Sequence, residues 1–344
     1  MTRRTTHEPL IFAPTESRTL GLAASERSGI PIAALEEREY AGGEFKLRPL
    51  QPVRDRTVFV VQSLAETQKA PIALRLIRLL FLIHGLRDAG ARQVVAVIPY
   101  LAYARKDRRT KARDPVYTRY VAQQLEAAGA DRVVVLDVHN ASSVDNAFRI
   151  PVDHLSAMPM MAAHFIQQLP HEKLAVASPD IGGIKRAQLF RELLERKTGK
   201  DVELVFVEKR RDGEVLSGGT VVGNPAGCTA IVLDDLCSSG TTLIKSATAL
   251  KAAGAASVHA TVTHTPMEDG LAALAAADDI AQVVVTDSVG YTPSTASLGK
   301  RSKVKILPSG ELLGYAMARM VSGEPLADLA EHWPPPGAVS KVPS

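Results

Sequence analysis

Short apolar runs alternate along the chain with segments whose apolar residues follow helical spacing. Runs such as 57–62 and 230–234 consist mainly of Val, Ile and Leu, which is typical of strands buried on both faces. Segments such as 71–88 and 241–252 place Leu, Ile and Ala three and four positions apart, which indicates helices. Because strands alternate with helices, the pattern predicts an α/β fold with mainly parallel sheets flanked by helices.

The alternation covers most of the chain and falls into two halves. It predicts strands at 9–13, 44–48, 57–62, 93–99, 132–137, 174–178, 202–207, 230–234, 257–263, 281–286 and 304–307, and helices at 71–88, 116–128, 183–196, 241–252 and 310–321. The sequence Ala-Gly-Ala separates a helix from the next strand at 128–130 and again at 253–255, which suggests two related domains. We expect an N-terminal domain at 8–156, a C-terminal domain at 157–322 and an irregular, proline-containing tail at 323–344.

The composition is that of an ordinary globular protein, with 46% hydrophobic and 23% charged residues in a chain of 344. The net charge is only +4, since 41 basic residues face 37 acidic ones, and this balance does not favour a nucleic-acid-binding protein. No apolar stretch is long enough to span a bilayer, and the N-terminus lacks the apolar region of a signal peptide. The two cysteines, Cys228 and Cys237, have no metal-binding spacing, and we expect reduced thiols. We therefore expect a cytoplasmic protein with neither membrane nor nucleic-acid partners.

The segment 231–242, Ile-Val-Leu-Asp-Asp-Leu-Cys-Ser-Ser-Gly-Thr-Thr, carries the most specific chemistry of the chain. Its apolar run ends in Asp234 and Asp235, and a parallel strand would bring both to the sheet edge where open α/β proteins bind ligands. The polar turn that follows opens a helix, and its backbone N–H groups and hydroxyls suit a phosphate. The acids would repel a phosphate, but they can hold sugar hydroxyls directly or through Mg²⁺. The pattern therefore indicates a site for a phosphorylated pentose.

Further segments resemble, together and in order, the motifs of one enzyme family. They are Val97-Ile-Pro-Tyr-Leu-Ala-Tyr-Ala-Arg-Lys-Asp-Arg-Arg109, Glu126-Ala-Ala-Gly-Ala-Asp-Arg-Val133, Asp137-Val-His139, Ile150-Pro-Val-Asp-His-Leu155, Ser178-Pro-Asp-Ile-Gly-Gly-Ile-Lys-Arg186 and Glu208-Lys-Arg-Arg211. With the acidic segment 231–242, they resemble the ribose-phosphate diphosphokinases (PRPP synthetases) over residues 9–322. The acidic segment alone would also be shared with phosphoribosyltransferases, whereas the combination is far more specific.

This resemblance implies both a reaction and an architecture. The expected reaction transfers pyrophosphate from MgATP to the anomeric hydroxyl of ribose 5-phosphate, which gives 5-phosphoribosyl 1-diphosphate (PRPP) and AMP. The expected cofactor is Mg²⁺, and the expected fold has two type-I phosphoribosyltransferase-like domains. The family usually assembles as a homo-hexamer built from dimers.

The resemblance also assigns roles to four residues outside the acidic segment. His139 and Asp180 occupy metal-site positions, although His is an unusual Mg²⁺ ligand and would, taken alone, be interpreted as structural. Lys209 and Arg211 match the basic pair of a mobile catalytic loop, which would stabilise the negative charge that develops on the phosphates. Without the family context, this pair would be interpreted as a solvated basic turn.

The expected ATP site involves two further segments. Arg105 and Asp107 align with family residues at the triphosphate and its metal, and Lys106 stands where Gln is frequent. The basic segment that contains them could also be a flexible exposed loop. Tyr40 and Glu44 align with a hairpin that reaches the adenine of a neighbouring subunit, where Tyr40 can serve as a stacking surface.

The resemblance places ribose 5-phosphate against seven residues, Asp234, Asp235, Ser238, Ser239, Gly240, Thr241 and Thr242. Three positions depart from the family pattern. Gly42 and Ser238 each stand where an acid is common, and Thr241 replaces a Gly and adds a Cβ where the backbone could need unusual dihedrals. The change at Thr241 is the one that most threatens activity.

These departures leave two alternatives to an active diphosphokinase. The first is a non-catalytic homologue that binds nucleotides and regulates an active paralogue. The second is a phosphoribosyltransferase, suggested by the acidic segment alone, which leaves the ATP-like motifs of the first half unexplained.

Overall fold

The computed structural model describes residues 8–67, 70–208, 220–290 and 303–335. In chain order, the elements are β1 (Leu10–Phe12), α1 (Arg18–Ser28), β2 (Leu35–Glu39), β3 (Phe45–Pro49), β4 (Thr57–Val61), α2 (Ile72–Asp88), β5 (Gln93–Ile98), α3 (Tyr117–Ala128), β6 (Arg132–Leu136), α4 (Ala141–Ala147), β7 (Val152–Leu155), α5 (Met158–Gln168), β8 (Leu174–Ser178), α6 (Ile184–Thr198), β9 (Glu203–Glu208), β10 (Thr220–Val222), β11 (Thr229–Leu236), α7 (Thr241–Ala252), β12 (Ser257–His264), α8 (Glu268–Ala276), β13 (Gln282–Thr286), β14 (Val304–Leu307) and α9 (Ser309–Ser322). Short 3₁₀ turns lie at Thr15–Ser17, Ile181–Gly183 and Ala327–Ala330.

The described residues form two compact units. Unit 1 comprises those within Met1–Ser156, Asp287–Tyr291 and Pro308–Leu326. Unit 2 comprises those within Ala157–Thr286, Thr292–Leu307 and Ala327–Ser344. Within the described ranges, no helix combines the length and the apolar character that crossing a bilayer requires.

Unit 1 is organised around a parallel sheet in the order β1-β4-β5-β6-β7, with β2 and β3 forming a separate antiparallel hairpin. One face of the sheet, including Val58, Val94 and Val133, belongs to a core shared with buried residues of α2 and α3. Residues that alternate with these, such as Phe59 and Val95, are also buried. Because both faces are covered, the strands are apolar throughout, as the sequence pattern predicts.

The last helix, α9, belongs to unit 1 and not to the unit that precedes it in sequence. This differs from the contiguous C-terminal domain at 157–322 that the sequence suggests. The physical reason is close packing of α9 against α1, where glycines replace larger side chains. A Cβ at Gly310 would lie 2.7 Å from the Ala23 Cβ, and one at Gly314 would lie 2.7 Å from the Ala24 carbonyl oxygen.

Unit 2 contains a sheet in the order β10-β9-β8-β11-β12-β13-β14, in which only the β9–β10 pair is antiparallel. From β8 the chain passes through α6 to β9 on one side, and from β11 it passes through α7 to β12 on the other. The direction of winding therefore reverses between the neighbouring strands β8 and β11. In open α/β sheets, this reversal opens a crevice at the carboxyl ends of the two strands, which is where ligands bind.

Glycine packing in unit 1 gives a test of stability. Replacing Gly314 with Ala should lower the free energy of unfolding by about 1–3 kcal/mol, because the added methyl group presses on the α1 backbone. The matched control is Gly85→Ala in α2, where an added Cβ meets nothing within 4 Å. That change should be neutral or stabilising by up to about 1 kcal/mol. Urea unfolding of both variants measures the difference, and equal effects would contradict the packing argument.

Candidate functional site

Two adjacent carboxylates stand at the crevice of unit 2. Asp234 and Asp235 lie near the carboxyl end of β11, whose neighbour β8 ends two residues before Asp180. The guanidinium of Arg186, from α6, contacts both acids, with Nη1 at 3.2 Å from Asp234 Oδ1 and at 3.0 Å from Asp235 Oδ1. The backbone N–H of Asp235 also donates to Asp234 Oδ1, at 2.9 Å. The strand thus places the predicted pair at the predicted sheet edge.

Burial and mutual repulsion act on the two carboxylates of the acidic pair. The side chains of Asp234 and Asp235 are only 22% and 6% exposed. Burial first, and then the neighbouring Asp235, raise the pKa of Asp234 to about 7, while Arg186 opposes the rise. The pair therefore favours a positive charge or a hydroxyl donor nearby.

The polar turn after the pair leads into the N-terminus of α7. Gly240 is the N-cap residue and has a left-handed backbone with φ of 77°. Thr241 is the first residue of the helix and is not among the described residues with positive φ. The sequence-based concern that Thr241 would require unusual dihedrals is therefore wrong, because the unusual conformation falls on Gly240. The hydroxyls of Ser239 and Thr241 lie 3.0 Å apart, both on exposed residues.

The backbone of this turn packs closely against α8. A Cβ at Gly270 would lie 1.9 Å from the Ser238 carbonyl oxygen, so no side chain can be accommodated there. In turn, a Cβ at Gly240 would lie 3.0 Å from the Gly270 carbonyl oxygen. The two glycines let two backbones interlock, and this fixes the path of the turn. Cys237 packs into the same region, where burial raises the pKa of its thiol to about 11, so it is not a nucleophile at neutral pH.

Asp180 caps the short turn that starts α6. Its Oδ1 accepts a hydrogen bond from the Gly183 N–H at 3.2 Å, and its carbonyl oxygen accepts one from the Ser178 hydroxyl at 2.6 Å. This geometry fixes the backbone between β8 and the helix that carries Arg186. Asp180 belongs to unit 2, whereas His139, the other predicted metal residue, belongs to unit 1.

In unit 1, the basic segment after β5 is folded around one carboxylate, Asp114. Its Oδ2 accepts hydrogen bonds from the Thr110 hydroxyl at 2.6 Å, from the Thr110 and Lys111 N–H groups at 3.1 Å each, and from Lys106 Nζ at 3.2 Å. These bonds, that of the Thr110 hydroxyl first, hold the pKa of Asp114 well below its usual range. Arg105, which precedes Lys106 in the chain, is exposed. The segment is therefore an organised loop, although its cationic groups face solvent.

Asp107 is held by residues that follow β6. Its Oδ2 accepts hydrogen bonds from Asn140 Nδ2 at 2.8 Å and from the Ser143 hydroxyl at 3.1 Å. Asn140 also caps α4, because its Oδ1 accepts from the Ser143 N–H at 3.2 Å. The adjacent His139 is exposed, and it follows Asp137, which has a left-handed φ of 39°. The structure therefore brings Asp107 to the start of the segment that also contains His139.

The β2–β3 hairpin presents Tyr40 and Glu44 at its tip. The Tyr40 N–H donates to the Glu44 carbonyl oxygen at 2.8 Å, and Tyr40 is 44% exposed. Gly42 and Gly43 between them have φ of 95° and 91°, which favours glycine. The absence of an acid at Gly42 is thus compatible with a tight turn.

Sequence reasoning did not assign roles to three residues that organise these sites, Arg186, Asp114 and Asn140. Arg186 and Asn140 were visible in their motifs, but no spacing rule shows which side chain will contact a given carboxylate. Asp114 precedes Pro115 at the end of a basic run, which is a signal for a turn. The predicted catalytic residues Lys209 and Arg211 lie outside the described residues.

The described residues contain no cluster of three or more His, Cys, Asp or Glu side chains suited to a metal ion. What they offer is the largely buried pair Asp234 and Asp235, whose carboxylates are hard oxygen donors. Such a donor set fits Mg²⁺, which is commonly bound through one or two carboxylates while substrate phosphates complete its shell.

Comparisons with known proteins agree with this arrangement. Residues 10–129 match the profile of the N-terminal domain of ribose phosphate pyrophosphokinase, and residues 155–291 match that of the phosphoribosyl transferase domain. The ribose-phosphate pyrophosphokinase of Hyphomonas neptunium is 35% identical over 320 residues, which span 92% of this chain and 97% of the relative. That of Maricaulis maris is 34% identical over 323 residues, which span 93% of this chain and 99% of the relative.

A solved structure shows the same similarity in three dimensions. The crystal structure of phosphoribosylpyrophosphate synthetase from Mycobacterium smegmatis matches with a TM-score of 0.81 at 27% identity, covering 92% of this chain and all of that one. Together with the two mainly parallel sheets, it confirms the expected α/β fold with two phosphoribosyltransferase-like domains.

The buried acid gives a prediction for pH. Because the pKa of Asp234 lies above its unfolded value of 3.8, the folded protein keeps a proton that the unfolded chain releases. This contribution to stability is full below about pH 4 and is lost as the pH rises towards about 7. Relative to wild type, Asp234→Asn should therefore gain stability between pH 5 and pH 8, by on the order of 2 kcal/mol. Urea unfolding at the two pH values measures the change, and a pH-independent difference between the proteins would contradict the assignment.

Proposed function

Because the chain belongs to the ribose-phosphate pyrophosphokinase family, we propose that it transfers the pyrophosphoryl group of ATP to ribose 5-phosphate. The oxygen of the anomeric hydroxyl forms a bond to the β-phosphorus and loses its proton to water, the bond from that phosphorus to the α,β-bridging oxygen breaks, and PRPP and AMP leave. The observation that carries the proposal is the acidic pair at the winding reversal of unit 2, followed by a polar turn at a helix N-terminus.

The pentose phosphate would be held at both ends. The carboxylates of Asp234 and Asp235 accept hydrogen bonds from the ribose hydroxyls. The 5-phosphate lies against the turn, where Ser238, Ser239, Gly240, Thr241 and Thr242 supply hydroxyls and backbone N–H groups. The N-terminus of α7 favours the negative charge of the phosphate, and the glycine interlock with α8 keeps the turn in one conformation. Preorganisation of this kind lowers the entropic cost of binding.

The triphosphate of ATP would be held by unit 1. Arg105 and Lys106 neutralise phosphate charge, and Asp107 serves the associated cation. Asp114 supports the loop that carries Lys106, while Asn140 and Ser143 orient the Asp107 carboxylate. Tyr40 and Glu44 offer a stacking face and an acceptor for adenine, in line with a homo-oligomer in which this hairpin serves a neighbouring subunit.

We assign Mg²⁺ as the cofactor because the donor set fits a hard divalent cation. In unit 2, Asp234 and Asp180 are the residues that would hold Mg²⁺, and in unit 1 they are Asp107 and His139, directly or through water. When bound, Mg²⁺ supplies charge withdrawal from the phosphate oxygens. The protein's own contribution is to align the hydroxyl and the β-phosphorus and to exclude water, which matters more in phosphoryl transfer than covalent chemistry does.

The basic pair Lys209 and Arg211 would stabilise the charge that develops on the transferring phosphates. Glu208, the last residue of β9, lies at the same sheet edge as the end of β8, and Lys209 is the next residue in the chain. This connectivity supports the assignment of the pair to the pentose-phosphate edge.

The competing hypothesis is a non-catalytic homologue that regulates an active paralogue. Its motivation was the set of changes at Gly42, Ser238 and Thr241. The helical position of Thr241 and the positive φ of Gly42 weaken that motivation, because both residues suit the backbone they occupy.

An assay of the purified protein with ATP, Mg²⁺ and ribose 5-phosphate tests the proposal. AMP and PRPP should form in equal amounts, and AMP rather than ADP identifies transfer of two phosphoryl units. A folded protein that forms neither product contradicts the proposal, and activity only after a paralogue is added would favour the regulatory alternative.

Loss of the Lys209 ammonium should slow the reaction strongly. We expect Lys209→Ala to lower kcat by about 10²–10³-fold, the scale for removing one preorganised charge from a transition state. The melting temperature should stay close to that of wild type. The matched control, Lys197→Ala, removes an exposed lysine at the end of α6 and should leave kcat unchanged. An unchanged rate in Lys209→Ala would remove that residue from the mechanism.

A further inference from the structure

Arg186 has no role in the function proposed above, yet it contacts both carboxylates of the acidic pair from another element. Its Nη1 lies 3.0 Å from one carboxylate and 3.2 Å from the other, and its side chain is only 19% exposed. A single nitrogen thus bridges the two acids from the first turn of α6.

Arg186 places one positive charge against both carboxylates. Removing the arginine would take that charge away from a largely buried acidic pair, which is destabilising. The carboxylates that Arg186 contacts are also the ones that would hold a divalent cation at the pair. The arginine and the cation therefore act on the same donors with the same sign of charge.

We propose that Arg186 is a positioning residue that acts as a built-in competitor of Mg²⁺ at the acidic pair. It holds the two carboxylates in register before substrate arrives and weakens the binding of the bare cation there. Productive Mg²⁺ binding then depends on substrate oxygens, which add ligands that the cation alone does not have. This inference rests on the proposed function, since it takes the pair to be where pentose and cation bind.

The test is thermal unfolding of chelator-treated protein titrated with Mg²⁺ alone. We expect Arg186→Gln to melt below wild type without Mg²⁺ and to be stabilised by Mg²⁺ at a concentration about tenfold lower than wild type requires. Lys185→Gln is the matched control, because it removes one positive charge from an exposed residue on the same turn of α6. This control should respond to Mg²⁺ as wild type does.

Two further variants keep the test decisive. Arg186→Lys retains the charge but not the planar fork, so its Mg²⁺ requirement should fall between those of wild type and Arg186→Gln, and it answers the question if Arg186→Gln does not fold. Combining Arg186→Gln with Asp235→Asn should abolish the gained Mg²⁺ response. Equal Mg²⁺ dependence in wild type and the Arg186 variants would overturn the inference, as would a response that survives Asp235→Asn.

The readout needs no turnover, so its outcome is separable from that of the proposed function. A protein that makes PRPP but shows equal Mg²⁺ dependence in all variants rejects the role of Arg186 alone. A protein that makes no PRPP but shows the tenfold difference retains Arg186 as a competitor for the cation and rejects only the reaction.

Discussion

The arrangement of unit 2 depends on burying two adjacent carboxylates at the end of a central strand. Asp234 and Asp235 continue an apolar strand into the crevice between β8 and β11, where water is partly excluded. Their repulsion must be offset locally, and Arg186 contributes by contacting both carboxylates. Under the proposed function, the negative charge of the pair serves sugar hydroxyls and a divalent cation, so the cost to stability and the capacity to bind have the same origin.

The two units hold their functional groups by different means. In unit 2, the winding of the sheet creates the crevice, and backbone interlock between Gly240 and Gly270 fixes the turn beside it. Unit 1 has no such reversal among its described strands, which follow one another in order after β4. There, side-chain hydrogen bonds to Asp114 and Asp107 organise the loop after β5 instead. A loop built in this way can present several cations to solvent and still keep a defined path.

Sequence periodicity predicted the central strands well, because strands buried on both faces are continuously apolar. It missed α1, whose buried positions Leu20, Gly21 and Ala24 are mostly small and give no apolar stripe. It also assigned α9 to the C-terminal domain, whereas α9 belongs to unit 1. Glycine contacts between helices that are distant in sequence leave no local signal. The motifs of the candidate site were recognisable because they are defined by residue type and order along the chain. The partners of those residues, such as Arg186, were not, because a salt bridge between distant residues has no spacing rule.

The most direct test of the account is calorimetric titration of ribose 5-phosphate into the protein in the presence of Mg²⁺. The account predicts saturable binding to wild type, binding weakened at least about tenfold in Asp235→Asn, as expected for a lost charged hydrogen-bond acceptor, and little binding of unphosphorylated ribose. Undiminished binding to a folded Asp235→Asn variant would contradict it, because the pentose phosphate would then be held somewhere other than the acidic end of β11.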